Sequence, residues 1–287
     1  MANGPVLAVD IGGTKLAAAI VDADGQILAR GRAATPETRD PEVLFAALAA
    51  VVDSLPADQR ASADACGVGS GGPMRDGGAL VSPVNIPAWR DFALRDRLRA
   101  HTGLPTWVDN DAKALALGEG WLGAAAGARD YLAMVVSTGI GGGIVLDGRL
   151  LDGADGNAGH VGHVIVEPEG RVCGCGARGC VEAEASGTAI RAITGAAPEH
   201  APPEVRARTG TLVGRAVASV ANLLDLPLAV VSGSVALGYG PPFFDAAQAE
   251  LDRSCRLDFS RGTRIVPAGL GADGPLVGAA RVALSRM

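Results

Sequence analysis

The chain has 287 residues, enough for one large domain or two lobes, and its formal net charge is −6. That acidic balance argues against a nucleic-acid partner, because phosphate backbones are bound by clustered basic side chains. No apolar run reaches the ~20 residues of a membrane-spanning helix and no signal-peptide pattern opens the sequence, so we expect a cytoplasmic protein without a membrane partner.

Apolar runs separated by glycine turns predict an α/β organisation in the first part of the chain. The segment 10–15, DIGGTK, is a turn between two predicted strands, and 22–25 is a hairpin signal. In chain order we predict strands at 6–9, 16–21 and 26–34, a helix at 41–55, a strand at 66–69, a glycine loop at 70–73, a helix at 90–101, a strand at 106–108 and an alanine-rich helix from 110 to about 121.

The second part of the chain repeats this pattern. A glycine turn at 137–143, STGIGGG, lies between predicted strands, and the serines at 232 and 234 could cap a helix. Two strand–turn–strand units suggest duplicated lobes with a cleft between them, one at 1–115 closed by a helix at about 275–287, the other at 116–274. The remaining predicted elements are strands at 131–136, 144–146, 228–231 and 264–266 and helices at 213–224 and 276–284.

Each glycine turn can offer several backbone N–H groups to a phosphate. The first turn leads into a strand and not into a helix, so it matches neither the dinucleotide-binding fingerprint nor the P-loop. Thr14 adds a hydroxyl group to this turn, and Asp10 could hold Mg²⁺ through water. Either turn alone is more often a plain hairpin, but two turns that face one cleft favour a nucleotide site.

Asp111 is the candidate acid–base group. It lies at a strand-to-helix junction, where side chains project into the crevice at the carboxyl ends of strands. A carboxylate there could accept the proton of a hydroxyl group that attacks phosphorus. The alternative is that Asp109 or Asp111 only caps the helix. Asn110 can donate and accept hydrogen bonds, which suits a sugar hydroxyl.

The segment 159–187 contains a candidate metal site. Three cysteines, Cys173, Cys175 and Cys180, follow His163, and tetrahedral Zn²⁺ favours thiolate and imidazole ligands. The spacing is not that of a zinc finger. A disulfide with a spare thiol is the weaker alternative, because Cys173 and Cys175 are too close along the chain to bridge without strain.

The motifs DIGGTK, VDNDA, STGIGGG, AGHVGH, CGCGARGC-x-E and ASG occur in this order over essentially the whole chain. On these motifs the sequence is identified as a member of the ROK family (repressors, uncharacterised open reading frames and sugar kinases). The resemblance implies an actin/hexokinase-like (ribonuclease H-like) ATPase fold of two α/β lobes. It also implies ATP with Mg²⁺, a structural zinc ion, a small-molecule sugar as substrate, and a homodimer or homotetramer.

The resemblance also implies roles for individual residues. It assigns Asp111 as the catalytic base, and His163, Cys173, Cys175 and Cys180 as zinc ligands. The implied sugar contacts are Gly72, Asn110, His163 and Glu182. The implied nucleotide contacts are Gly12, Gly13, Thr14, Lys15, Thr138, Gly139 and Gly233.

His160 departs from the commoner family pattern. ROK glucokinases resemble this chain but carry Gly-Glu-x-Gly-His where it reads Gly159-His-Val-Gly-His163. An imidazole replaces a charged double acceptor by one donor and one acceptor, so it should suit a different substituent at C2 of the sugar. Bacterial N-acetylmannosamine kinases share AGH-x-GH. The alternative is that His160 is a tolerated variant in a glucokinase.

We therefore expect a kinase that phosphorylates the 6-hydroxyl of a hexose or N-acetylhexosamine, with N-acetylmannosamine favoured over glucose. Another pyranose, a cyclitol or a non-catalytic sugar sensor are the further alternatives. Family repressors place a winged helix-turn-helix before the ATPase core, but only nine residues precede Asp10 here. That short segment and the retained Asp111 favour an enzyme over a regulator.

Overall fold

The computed structural model describes residues 4–287, which form two compact units. The N-terminal unit consists of the chain up to Gly123, Asp152–Ala158 and Leu270–Met287, and the C-terminal unit consists of Ala124–Leu151 and Gly159–Gly269. The lobe boundary that we expected at 115 falls inside a helix that continues to Leu122. Among the helices of residues 4–287, none has both the length and the apolar character that a bilayer crossing requires.

Both units contain β-strands and α-helices. The strands are β1 (Val6–Ile11), β2 (Lys15–Val21), β3 (Ile27–Ala34), β4 (Ala65–Ser70), β5 (Met74–Arg75), β6 (Leu80–Val81), β7 (Thr106–Asn110), β8 (Tyr131–Val136), β9 (Ile140–Leu146), β10 (Arg149–Leu150), β11 (Leu228–Ser232) and β12 (Arg264–Pro267). The helices are α1 (Pro41–Asp53), α2 (Ala57–Ala61), α3 (Leu94–Thr102), α4 (Asp111–Leu122), α5 (Val181–Ala185), α6 (Gly187–Thr194), α7 (Pro203–Leu224), α8 (Ser234–Tyr239), α9 (Pro241–Ser254) and α10 (Gly274–Leu284).

The main sheet of the N-terminal unit has the strand order β3-β2-β1-β4-β7. β1 is antiparallel to β2 and parallel to β4, which is in turn parallel to β7. In this register Asp10 lies opposite Gly69, and Ser70 lies opposite Asn110. The carboxyl ends of β1, β4 and β7 therefore share one edge, where the residues that follow them can act together.

Apolar side chains cover both faces of this sheet, which explains the continuous apolar run of β1. Leu7 and Val9 belong to the core that includes α1, whereas Val6 and Ala8 belong to the core that includes α10. Gly67 in β4 allows the α10 backbone to come close, because a Cβ atom there would lie 2.0 Å from the Ala279 carbonyl oxygen.

The sheet of the C-terminal unit has the order β10-β9-β8-β11-β12. β8 is antiparallel to β9 and parallel to β11, and β11 is parallel to β12. These strand directions repeat those of the N-terminal sheet, as the two strand–turn–strand patterns predicted. The long helix α7 packs on this sheet through Val213 and Val217, together with Leu251 of α9.

Three local predictions were wrong. The segment Ile140–Gly143 belongs to β9 and not to the turn, because Gly142 lets Val161 approach: a Cβ at 142 would lie 2.6 Å from Val161 Cγ2. α3 begins at Leu94, since Arg90 is used to bind the carbonyl oxygens of residues 83 and 86. No serine caps α8; Ser234 Oγ instead lies 2.9 Å from Ser137 Oγ.

Candidate active site

Two carboxylates meet at the shared strand edge of the N-terminal unit. Asp10 is the penultimate residue of β1, Asp111 begins α4, and Gly69 of β4 lies between them. A Cβ atom at Gly69 would be 3.8 Å from Asp10 Oδ1 and 3.6 Å from Asp111 Cα. Burial, and then the negative charge of Asp111, raise the pKa of Asp10 to about 7, while Lys15 opposes the shift. This edge thus concentrates negative charge next to the first glycine turn.

The N-terminus of α4 orients Asp111. Asn110 is the N-cap residue, and its side-chain oxygen accepts from the amides of Ala112 (3.0 Å) and Lys113 (3.4 Å). Asp111 Oδ1 also accepts from the Ala112 amide, at 2.8 Å. The positive end of the helix dipole stabilises a carboxylate in this position. Asn110 therefore provides the cap, and Asp111 is half-buried at the strand edge.

Asp109 serves a different purpose from Asp111. Its Oδ1 pairs with Nζ of the buried Lys113 at 3.0 Å, and burial is the main cause that raises the pKa of Asp109. Lys113 also donates to Asp152 at 2.8 Å and to the Gly156 carbonyl at 3.0 Å. These bonds fix the segment Asp152–Ala158 to α4. No sequence pattern indicated this ion-pair network.

The first glycine turn is held through its carbonyl oxygens. Thr35 donates its hydroxyl to the Gly12 carbonyl (2.7 Å) and its amide to the Thr14 carbonyl (3.1 Å). A phosphate would use the amide groups of such a turn and not its carbonyls. The side chains of Thr14 and Lys15 are exposed next to it. The structure therefore brings together the candidate residues Asp10, Gly12, Gly13, Thr14 and Lys15.

The second glycine turn is shorter than predicted and comprises Ser137–Gly139. Its carbonyl oxygens are also bound: the Gly187 amide donates to Ser137 (2.7 Å), and the Thr188 hydroxyl donates to Thr138 (2.9 Å). Gly233 follows β11 at the same edge with φ +103°, and a Cβ there would lie 2.2 Å from the Val136 carbonyl oxygen. Only glycine fits at 233, so Thr138, Gly139 and Gly233 form one group in the C-terminal unit.

Glu182 contacts this second turn. Its Oε2 accepts from the Ile140 amide at 2.9 Å, and a Cβ atom at Gly139 would lie only 2.8 Å from it. Glu182 lies in α5, the helix that begins directly after Cys180. It therefore connects the cysteine segment with the glycine turn. The family resemblance implied only a sugar contact for Glu182. Its hydrogen bond to the Ile140 amide joins residues 42 positions apart, so no local sequence pattern predicts it.

His163, Cys173, Cys175 and Cys180 form a four-residue metal-binding cluster. Their ligand atoms all lie within 4.8 Å of one another. Cys173 Sγ is 3.7 Å from His163 Nδ1, and Cys175 Sγ is 3.8 Å from Cys180 Sγ. A tetrahedron with Zn–S bonds of ~2.3 Å has edges of about 3.8 Å, so these separations fit zinc. All five cysteines are free thiols, which contradicts the disulfide alternative.

The cluster is supported by a buried carboxylate, Glu184, that no sequence pattern indicated. Glu184 accepts from the Arg171 amide at 2.6 Å and from Arg208 Nη2 at 2.8 Å. Arg171 begins the cysteine loop and Arg208 belongs to α7, so Glu184 attaches the loop to the core of the unit. Burial raises the pKa of the Cys180 thiol to about 12, whereas a metal cation would favour the thiolate.

The remaining candidate sugar contacts lie in the loop after β4 and at the 3-10 helix Val161–His163. Gly72 belongs to the loop after β4, where Asn157 accepts from the Met74 amide (3.0 Å) and donates to its carbonyl (2.9 Å). Asn157 thus holds this loop as a neighbouring strand would, a role that no sequence pattern indicated. In the C-terminal unit the rings of His160 and His163 are nearly parallel, with centroids 6.1 Å apart.

The pKa of Asp10 predicts a pH dependence of stability. A folded-state pKa above the ordinary 3.8 stabilises the fold below about pH 4, and this contribution, at most about 4 kcal/mol, is lost as the pH rises through about 7. Asp10→Asn should therefore be more stable than the wild type at pH 8, by urea denaturation without Mg²⁺. The exposed Asp24→Asn is the control, and an equal pH dependence in Asp10→Asn and the wild type would contradict the assignment.

Comparison with known proteins adds to this geometry. The model of the ROK family matches residues 6–286. An N-acetylmannosamine kinase of Escherichia fergusonii is 41% identical over 251 residues, covering 82% of this chain and 84% of the relative.

Solved structures of similar chains also belong to the ROK family. A ROK hexokinase of Thermus thermophilus has a TM-score of 0.83 and 34% identity, covering 98% of both chains. A ROK family glucokinase of Streptomyces griseus, solved with glucose and AMPPNP, has a TM-score of 0.82 and 32% identity, covering 98% of this chain and all of that one. The fold is thus the predicted actin/hexokinase-like fold, and the chain belongs to the ROK family.

Proposed function

We propose that the protein is an ATP-dependent sugar kinase that phosphorylates the 6-hydroxyl of N-acetylmannosamine. The observation that carries the kinase proposal is the oriented carboxylate of Asp111, beside Asp10 and the Gly12–Gly13 turn at one strand edge. The choice of sugar is supported by His160 and by the identity of 40–41% to N-acetylmannosamine kinases over 82% of the chain.

ATP is the proposed phosphoryl donor. The amides of Gly13 and Thr14 would donate to its phosphates, with Lys15 adding a positive charge, whereas the Gly12 amide donates to the Lys15 carbonyl at 2.9 Å and closes the turn. Thr138, Gly139 and Gly233 are further proposed nucleotide contacts. Asp10 fits a magnesium site, because it is an acidic oxygen donor whose charge is poorly compensated. Bound Mg²⁺ would neutralise charge on the phosphates during transfer.

Asp111 acts as the general base in this proposal. The 6-hydroxyl oxygen attacks the γ-phosphorus, its proton passes to the Asp111 carboxylate, and the bond between the γ-phosphorus and the bridging oxygen breaks to release ADP. The proposed sugar contacts are Gly72, Asn110, His160, His163 and Glu182. Glu182 would then bind sugar while its Oε2 retains the Ile140 amide.

Zinc has a structural role in the proposal. His163 Nδ1 faces the sulfur atoms, so it would be the ligand atom, and Nε2 would be directed to the sugar. The metal thus positions one imidazole that also selects the substrate. We further propose a homodimer or homotetramer in the cytoplasm, where ATP is available; size-exclusion chromatography with light scattering tests the oligomeric state.

Glucokinase is the second candidate, favoured by the 32% identity to the glucose-bound glucokinase of S. griseus. An ADP-release assay with glucose, N-acetylmannosamine, N-acetylglucosamine, mannose and allose decides between the two and also tests other pyranoses. A cyclitol such as inositol belongs in the same panel. Turnover with none of these compounds, despite measurable sugar binding, would identify a non-catalytic sensor.

His160 provides a direct test of sugar choice. His160→Glu should shift kcat/KM toward glucose relative to N-acetylmannosamine by about tenfold or more, because a carboxylate accepts two hydrogen bonds from adjacent hydroxyls. His200→Glu, a replacement at an exposed position outside the proposed site, is the matched control. An unchanged ratio in His160→Glu would remove His160 from substrate selection.

A further inference from the structure

The loop between β6 and α3 carries an asparagine that has no role so far. This loop, residues 82–93, is anchored on both sides of Asn85. Before Asn85, the backbone amide of Val84 donates to the Gly72 carbonyl (3.2 Å). After it, Ile86 and Trp89 are buried in the core of the N-terminal unit. Arg90 Nη1 donates to the carbonyl oxygens of Pro83 and Ile86, at 3.0 Å each. Asn85 is therefore exposed on a fixed backbone.

The Asn85 side chain lies between the first glycine turn and the glycine loop after β4. A Cβ atom at Gly13 would be 2.9 Å from Asn85 Nδ2, and one at Gly71 would be 3.3 Å from Asn85 Oδ1. Within residues 4–287 this amide has no hydrogen-bond partner. Because Gly13 and Gly71 have no side chains, the Asn85 amide can lie against both segments. Its Nδ2 donor is near Gly13, and its Oδ1 acceptor is near Gly71.

A ligand can reach this amide. Gly13 and Asn85 line a cavity of about 760 Å³ together with the segment Thr35–Arg39, within the size range of ligand pockets. The turn at Gly13 is the proposed place of the terminal phosphates, and the loop at Gly72 is a proposed sugar contact. A side-chain amide between them offers a donor for the oxygens of the transferred phosphoryl group and an acceptor for the hydroxyl group that receives it.

We propose that Asn85 is a further catalytic residue, whose Nδ2 donates to an oxygen of the transferring γ-phosphoryl group. Its Oδ1 accepts from a hydroxyl of the acceptor on the Gly71–Gly72 loop. A neutral donor aimed at the group in transfer stabilises the charge that its oxygens carry and fixes its orientation. This inference rests on the proposed kinase function and adds a residue that none of the motifs contains.

The test compares two nucleotides that differ in the γ-phosphate. Affinities for AMPPNP and ADP, both with Mg²⁺, are measured by calorimetry for Asn85→Asp, Asn85→Ala and the wild type. Asn85→Asp should weaken AMPPNP binding about tenfold or more, since a carboxylate then faces the γ-phosphate, and leave ADP within about twofold. Asn85→Ala should have a smaller effect on AMPPNP and lower kcat for the sugar about tenfold or more.

Val84→Ala is the matched control, because Val84 is 78% exposed in the same loop and should change neither affinity. Equal losses of AMPPNP and ADP affinity, or no loss of AMPPNP affinity in Asn85→Asp, would overturn the proposal. The measurement does not require the sugar: a wild type that binds AMPPNP but phosphorylates no sugar would contradict the proposed function and still decide the role of Asn85. A wild type that does not bind AMPPNP would overturn both.

Discussion

Asp111→Asn should lower kcat by at least about a hundredfold while sugar affinity changes only a few-fold. The amide cannot take the hydroxyl proton, but it can still accept from the Ala112 amide as Asp111 Oδ1 does. It also removes the negative charge that contributes to the raised pKa of Asp10, so the variant should be no less stable than the wild type. Turnover is measured by ADP release and sugar binding by calorimetry.

Asp109→Asn is the control that distinguishes a loss of turnover from a loss of stability. It replaces the neighbouring carboxylate, which pairs with the buried Lys113, so it should lower the free energy of unfolding by at least about 1 kcal/mol. Its folded fraction should keep most of its turnover. Near-normal turnover in Asp111→Asn would show that this carboxylate is not the base. Equal losses of turnover in both variants would mean that the substitutions disturb the end of β7 and do not remove a catalytic group.

Cys175→Ser should lose bound zinc and about 3–5 kcal/mol of the free energy of unfolding. A serine hydroxyl does not replace a thiolate ligand, and the exposed loop 171–179 has few apolar contacts of its own to hold it. Hydrogen exchange should increase in this loop and also at the Ile140 amide, which Glu182 binds from the helix that follows Cys180. Metal analysis and urea denaturation give the two main measurements.

Cys255→Ala is the control for the metal assignment. Cys255 is a buried thiol of the same unit that lies outside the cluster, so this variant should retain the full zinc content. Freshly purified wild-type protein without zinc would contradict the assignment. Retention of zinc in Cys175→Ser would remove Cys175 from the ligand set.

Local patterns predicted the strands and turns, because each depends on a few neighbouring residues. Both strand–turn–strand units follow from short apolar runs that end in glycines. The length of the second turn could not be predicted this way. Whether the glycines at 141–143 form a turn or a strand depends on Val161 and Gly159, whose close approach is a tertiary contact.

The sequence could place residues of the candidate site together only where they belong to a motif. The metal cluster is a sequence pattern, and the structure brings its four residues together. The residues that hold the site in place are different: Glu184 binds Arg208, and Asn157 binds Met74, across long separations in the chain. Such partners are selected by the folded backbone, so a single sequence gives little sign of them.

Only two of the 25 basic residues are lysines, Lys15 and Lys113, and this has a practical consequence. Lys113 is enclosed by its two carboxylate partners, whereas Lys15 is exposed where β2 begins, next to the first glycine turn. Reagents that acylate primary amines therefore have one accessible lysine side chain to modify, in addition to the α-amino group of the chain. Because acylation removes the positive charge that we propose for nucleotide binding, bound nucleotide should protect Lys15 from the reagent, and the extent of labelling should report occupancy.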